Sequence, residues 1–149
     1  MEKVDRTHWE RAELFEFFSA VSHPFYSVTF RVDVTNLYRY VKERHLSFYY
    51  AMGYLVTDAV NSVKNFRYAI RDGEVWLLDE RIPSLTDLKP GSEQFHIVTL
   101  PKVGGIAEFC ASAQARSAAQ KTLLDQDEEN DNLIYISLSL IHISEPTRH

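Results

Sequence analysis

Cysteine is almost absent from this chain. Cys110 stands alone, so no internal disulfide can staple the fold. With no helix N-terminus or basic partner evident beside it, the thiol reads as a packed helix residue rather than a nucleophile. A lone cysteine fits a reducing, cytoplasmic setting. Long hydrophobic runs are lacking too: none approaches the ~20 apolar residues of a membrane-spanning helix, and no apolar run follows the first Met. Basic charge is in deficit, with 16 Lys and Arg against 21 Asp and Glu and a formal net charge of −5. A nucleic-acid groove wants a basic surface, so that class of partner is disfavoured. No Gly-x-Ser-x-Gly elbow announces a serine hydrolase, and no His, Cys and Asp spacing suggests zinc. The acidic stretch DQDEENDN at 125–132 lacks the central Gly and closing Glu of an EF-hand loop and reads as solvated loop. Gly104-Gly105 is not followed by a nucleotide-binding glycine fingerprint and reads as a plain linker.

What is present is ordinary globular material, 45% hydrophobic and 25% charged over 149 residues, enough for one domain and one core. The chain is organised around residues 45–79. Phe48, Ala51, Met52, Leu55, Val56, Ala59, Val60 and Val63 recur at helical spacing, predicting a long helix with a wide apolar face. Ser47 stands where its N-cap belongs. From Asn65 the period changes to two. Phe66, Tyr68 and Ile70 alternate with Arg67 and Ala69, and Val75 to Leu78 answer them across Arg71-Asp72-Gly73-Glu74. An Asp-Gly pair tolerates the positive φ of a two-residue hairpin turn.

The flanking elements are weaker but readable. Thr7-His8-Trp9-Glu10 has the capping-box form, predicting a helix from there to about Ala20. Its Trp9, Leu14, Phe15, Phe17, Phe18 and Val21 lie on more than one side, so it must touch two partners. Residues 25–35 alternate almost strictly and predict a strand with Tyr26, Val28, Phe30, Val32 and Val34 on one face. Residues 36–44 predict a short helix. Residues 82–86 predict a strand with Pro83 at its start or edge, and residues 94–100 another. Residues 89–92 read as a turn between them. A second long helix is expected over 106–124, with Ile106, Phe109, Cys110, Ala113, Ala118 and Leu123 inward, and a last strand over 133–137.

The runs SFYYAMGYLVTDAVN and FRYAIRDGEVWLLDERIPSLT, with THWERAELFEFF and VDVTNL before them and NLIYIS after, resemble the chloramphenicol acetyltransferase family. The resemblance covers most of the chain to about Ser137. It implies an α/β two-layer fold of the coenzyme-A-dependent acyltransferase type, a mixed, mostly antiparallel sheet with helices on one face, here incomplete. It further implies acetyl-CoA as co-substrate with no metal, a small hydroxylated acceptor, and a cytoplasmic homotrimer with active sites at subunit interfaces.

The same resemblance assigns residues. Ser137 falls on the family's serine that stabilises the tetrahedral intermediate, and Phe17 and Phe18 on the aromatic pair of the acceptor pocket. Phe95 falls near another pocket aromatic. Arg11 falls on the arginine that braces the site against a motif aspartate, and here it would be a buried cation without a partner. The family's base comes from His-x-x-x-Asp-Gly, and none of the six histidines begins that motif; Tyr68 stands four residues before Asp72-Gly73. Relatives also differ at 88–94 and carry Pro where Tyr50 stands, which leaves the acceptor open. The expectation is therefore a catalytically inactive portion of an acetyltransferase, residues 1–137. Residues 138–149, ending in SEPTRH, resemble sequencing-adapter read-through and are expected to be a non-native tail. Exposed apolar surface and aggregation are expected for the chain alone. The rival readings are a non-catalytic small-molecule binder and, disfavoured by the local matches in 45–86, the acyltransferase core of a 2-oxo-acid dehydrogenase complex.

Overall fold

A computed structural model of the chain describes residues 1–88, 91, 93–124 and 130–138. The expected turn at 89–92, most of the acidic stretch and the tail from 139 onward lie outside the fully described residues. Along the chain run β1 (Glu2–Lys3), α1 (Ala12–Ser19), α2 (Thr35–Glu43), α3 (Phe48–Ser62), β2 (Tyr68–Arg71), β3 (Glu74–Leu77), β4 (Ile82–Leu88), β5 (Phe95–Thr99), α4 (Ile106–Ala119) and β6 (Leu133–Ile136). The α/β class and the mostly antiparallel pairing stand as expected. The strands are divided between two small sheets, β1-β3-β2, all antiparallel, and β5-β4-β6, in which β4 runs antiparallel to β5 and parallel to β6. Pro83 sits second in β4, where its missing N–H breaks little of the ladder, and is buried.

Ser47 caps α3 as its position predicts: it is extended (φ −70°, ψ 120°) and its hydroxyl accepts the Tyr50 N–H at 3.4 Å. The buried side of α3 is not the predicted stripe. Tyr50, Ala51, Gly53 and Thr57 are buried, whereas Leu55, Ala59 and Val63 are exposed. The reason is close approach. A Cβ at Gly53 would lie 3.0 Å from a Leu85 methyl, so the bare glycine lets the helix settle on β4. Thr57 turns its hydroxyl onto the Gly53 carbonyl at 2.7 Å and needs no other partner there. The core joins these residues to Val41, Leu85, Val98, Leu100, Phe109, Cys110, Ala113 and Ile136. Cys110 is held under α4 with its Sγ 3.9 Å from the Ser47 carbonyl, and burial pushes its thiol above the ordinary range.

The hairpin forms as read. Asp72 and Gly73 both take positive φ, 51° and 77°, and Arg71 faces Glu74 across the turn. Its burial departs from the simple alternation. Ile70 pairs with Val75, yet Val75 is buried in the central strand while Ile70, on the edge strand, is 63% exposed. Phe66 belongs to a 3-10 turn, Lys64–Arg67, and not to the strand.

Two expected starts also change. The helix foreseen at Thr7 begins at Ala12, because the Thr7 hydroxyl and N–H both turn back onto the Asp5 carboxylate, at 2.6 and 3.0 Å. Those bonds, the hydroxyl's first and then that of His8, hold the Asp5 carboxyl below its usual range. Gly104-Gly105 is a helix start and not a linker. Gly104 has φ 65°, a Cβ there would strike the Glu108 carboxylate, and that carboxylate accepts the Gly105 N–H at 3.0 Å. The helix that follows ends at Ala119, so Leu123, expected inward, is 56% exposed.

The strand expected at 25–35 does not form. Phe25, Tyr26 and Phe30 are 83%, 89% and 76% exposed, and the segment pairs with none of the described strands. Alternation supplies an apolar face but not a neighbour, and an unpaired strand has nowhere to place its backbone hydrogen bonds. Asp33 ends the segment by accepting the Thr35 N–H at 2.9 Å as the chain turns into α2.

Arg81, just before β4, ties the pieces together. Its guanidinium donates to the carbonyls of Phe66, Tyr68 and Asp131, while its own peptide N–H and C=O are both bonded by the Asn61 amide. Burial pulls this guanidinium below its ordinary value, against the pull of Asp131.

Candidate functional site

The aromatic surface of α1, expected to touch two partners, buries no residue of the helix; Leu14, Phe17 and Phe18 stay exposed, and an open groove of about 1220 Å³ lies beside it. One wall is α1, the second is the exposed segment 19–26, and Ile70 and Gly73 of the hairpin border it. Trp9 anchors the floor. Its indole N–H donates to the Tyr68 hydroxyl at 3.3 Å, with the two rings edge to face at 5.2 Å. Phe15 packs 5.8 Å from Trp9, and Arg6 lies 5.0 Å over the Phe15 ring while bonding Glu16 at 3.1 Å. An apolar, ring-lined cleft with cations near its rim suits a small ligand that carries both a ring and polar groups.

Of the residues singled out from the sequence, Phe18 and Arg11 line this groove. Arg11 is exposed, so the expected buried cation is in water and carries no desolvation penalty. Phe17 lies beside the groove wall, edge-on to Phe18 at 5.2 Å and 89°. Phe17 and Phe18 are 66% and 51% exposed. Phe95 is on β5, in the other sheet, and Ser137 is the exposed residue after β6; neither lines the groove. His23 does line it, with Nδ1 3.3 Å from the Ser22 hydroxyl.

Sequence reasoning missed a second polar constellation altogether. Asp87 on β4 accepts hydrogen bonds from the hydroxyls of Tyr50 and of Ser117, the latter at 2.6 Å. The Ser117 oxygen lies 2.9 Å from Nε2 of His96, which is fully buried. Tyr49 adds a bond from its hydroxyl to the Thr86 carbonyl. Burial, then the neighbouring Asp87, pushes the Tyr49 and Tyr50 phenols above their ordinary value, Tyr50 strongly. A serine, a histidine and an aspartate meet here, but the carboxylate binds the serine and not the histidine, so the relay of a hydrolase is absent. None of Tyr49, Tyr50, Asp87, His96 and Ser117 lines the groove. The only signal in the sequence was a polar residue inside each apolar pattern, His96 in β5 and Ser117 in α4.

The architecture is a mixed α/β unit with helices beside small, mostly antiparallel sheets and an aromatic groove at its first helix. A solved chloramphenicol acetyltransferase superposes with a TM-score of 0.77 at 25% identity, covering 92% of this chain and 69% of that one. The profile of the chloramphenicol acetyltransferase family matches residues 1–144, and the chain belongs to that family. It is 39% identical over 95 residues to a chloramphenicol acetyltransferase of Clostridium perfringens, covering 63% of this chain and 44% of that protein. It is 30% identical over 138 residues to chloramphenicol acetyltransferase 3 of Escherichia coli, covering 91% of this chain and 65% of that protein. The chain thus spans roughly half to two thirds of the length of these relatives. Among the described residues no helix is long and apolar enough to cross a membrane.

Proposed function

We propose that this chain is the acceptor-binding portion of an acetyl-CoA-dependent O-acetyltransferase acting on chloramphenicol or a similar small hydroxylated molecule. The observation that carries the reading is that Phe18 and Arg11, singled out by resemblance alone, line one aromatic groove within a chain of this family. Acyl transfer needs a base to take the acceptor hydroxyl's proton and a donor for the tetrahedral oxyanion. Phe17 and Phe18 would hold the acceptor, Arg11 would brace the site, and the Ser137 hydroxyl would donate to the oxyanion. Phe95 would approach the acceptor from the second sheet.

The base is not supplied by residues 1–149. Asp72-Gly73, the sole Asp-Gly, is used in the hairpin turn, and no histidine stands four residues before it. In the full-length parent, a cytoplasmic homotrimer whose neighbouring subunit presents a base from beyond these residues accounts for a groove without one. In this reading residues 1–137 are the native portion, residues 138–149 are a non-native tail, and the chain alone is inactive.

The missing base also supports a second reading, a non-catalytic small-molecule binder built on the same groove. Both are tested on the purified chain by following Trp9 fluorescence in a Trp76→Phe background during titration with chloramphenicol, alongside an acetyl-CoA assay. Binding that Phe18→Ala abolishes, with no acetylation, is expected. Acetylation by this chain would overturn the account of the base, and no binding at millimolar ligand would overturn the groove as the acceptor site. Sequencing the source DNA beyond codon 137 separates the two readings, since only the enzyme requires a later His-x-x-x-Asp-Gly.

A further inference from the structure

The inner row of the β4–β5 pair sets Leu85 opposite Val98 and Asp87 opposite His96. Leu85 and Val98 are fully buried. Apolar contact alone does not fix this alignment. Sliding β5 by two residues keeps every side chain on its own face. One such slip would set Leu100 against Leu85 and Val98 against Asp87; the other would set Val98 against Pro83 and His96 against Leu85. Both keep hydrophobic side chains in the core row.

The polar chain distinguishes them. With the Ser117 proton given to Asp87 at 2.6 Å, the histidine's Nε2–H donates to the Ser117 oxygen at 2.9 Å, and Tyr50 closes the far side of the carboxylate. Either slip takes His96 away from Ser117, leaves the imidazole among apolar side chains without that bond, and forfeits a bond made in a dry environment, while Asp87 keeps Tyr50 and Ser117. Among the described residues the second nitrogen of His96 has no partner, so the ring has no other bond there to fall back on. The helix is subject to the same constraint. On α4, Ala113 precedes Ser117 by one turn on the buried stripe, so a one-turn slide would bring a methyl to Asp87.

We infer that Tyr50, Asp87, Ser117 and His96 form a register lock: a buried polar chain that selects one alignment of β4, β5 and α4 among those the apolar residues tolerate. Buried polar groups do this best where competing alignments are otherwise close in energy. The lock makes a conformation unique and is separate from the strength of packing.

Disulfide trapping tests it on the full chain in a Cys110→Ala background. Thr86 faces Ile97, and the Ile97 N–H points away from β4, donating to the Leu123 carbonyl at 2.7 Å. Such a pair lacks direct hydrogen bonds and brings Cα atoms close enough for a disulfide. Thr86→Cys with Ile97→Cys reports the native register. Thr86→Cys with Thr99→Cys or with Phe95→Cys reports the two slips. With the lock intact, the slipped pairs are expected to oxidise less than about a tenth as fully as the native pair. With Tyr50→Phe, Asp87→Leu, His96→Leu and Ser117→Ala combined, the slipped fraction is expected to rise at least about tenfold while helical circular dichroism is kept. Oxidation of the native pair alone in that variant would overturn the lock, as would ready oxidation of slipped pairs in the unaltered chain. Should the combined variant not accumulate folded, His96→Leu alone is read by the same three cysteine pairs: a rise in the slipped fraction supports the lock, and oxidation of the native pair alone overturns it.

Discussion

Arg71 and Asp131, sixty positions apart, meet in a two-pronged ion pair, Nε to Oδ2 at 2.5 Å and Nη2 to Oδ1 at 2.6 Å. The pair joins the hairpin to the approach of β6, and hence one small sheet to the other. The guanidinium's hydrogen bonds hold the Asp131 carboxyl below its ordinary 3.8, and Asp131 in turn raises Arg71. A depressed carboxyl contributes stability above its unfolded value and loses it as pH falls through the folded one. A thermal-melt series is therefore expected to show a decline below about pH 4 that Asp131→Asn makes shallower. The pair is exposed, so the effect is modest and fades at high salt; an unchanged acid slope in the variant would exclude this pair as its source.

Gly53 leaves little room for a side chain. Gly53→Ala places a methyl 3.0 Å from Leu85, and an overpacking cost of about 1–3 kcal/mol is set against the ~1 kcal/mol that Ala gains over Gly inside a helix, so a net loss of up to about 2 kcal/mol is expected. Paired with Leu85→Ala, part of that loss should return. A urea melt of the two single variants and the double measures the coupling, and strict additivity would mean that the two residues do not press on each other.

The tyrosines predict an alkaline limit. The folded state holds the Tyr50 proton where the unfolded chain, with a phenol near 10, gives it up. Stability is thus complete below about pH 10 and falls as pH rises toward the folded value. Tyr50→Phe is expected to flatten that fall between about pH 10 and 12, with Tyr49→Phe doing so less. Equal slopes for Tyr50→Phe and the unaltered chain would show that the Tyr50 proton is not held by the fold.

The unpaired segment should be the first point of cleavage. Phe25, Tyr26 and Phe30 stand in solvent without strand partners among the described residues, so brief chymotrypsin treatment is expected to cut there before it touches α3 or α4. The same residues are a template for intermolecular pairing. Replacing Val28 and Phe30 by Lys is expected to reduce aggregation at least several-fold by light scattering.

What could be read from the sequence was local. The Asp72-Gly73 turn and the Ser47 cap depend on residues within one turn of each other, and both appear where the residue types require. The inner side of α3 was not legible, because apolar periodicity marks a possible interface while a single glycine against Leu85 decides which side approaches the sheet. Residues 25–35 carried a strand's alternation but not its neighbour, and pairing is a property of two segments. The Asp87–Ser117–His96 chain joins a strand pair to a helix thirty positions further on, so no window of sequence contained it. Arg11 and Phe18 were found through resemblance, and what places them on one wall is their seven-residue spacing, two turns along α1 from its N-cap.

Cys110 gives the chain a clock of its own. Its sulfur is sealed between α4 and the Ser47 carbonyl, so a thiol reagent can reach it only when the helix lifts from the core. Because this is the only thiol, the rate at which a chromogenic disulfide consumes it reports on those openings, in solution and without a label. In the limit of fast reclosing, the ratio of that rate to the rate in the denatured chain is the fraction of time α4 spends undocked.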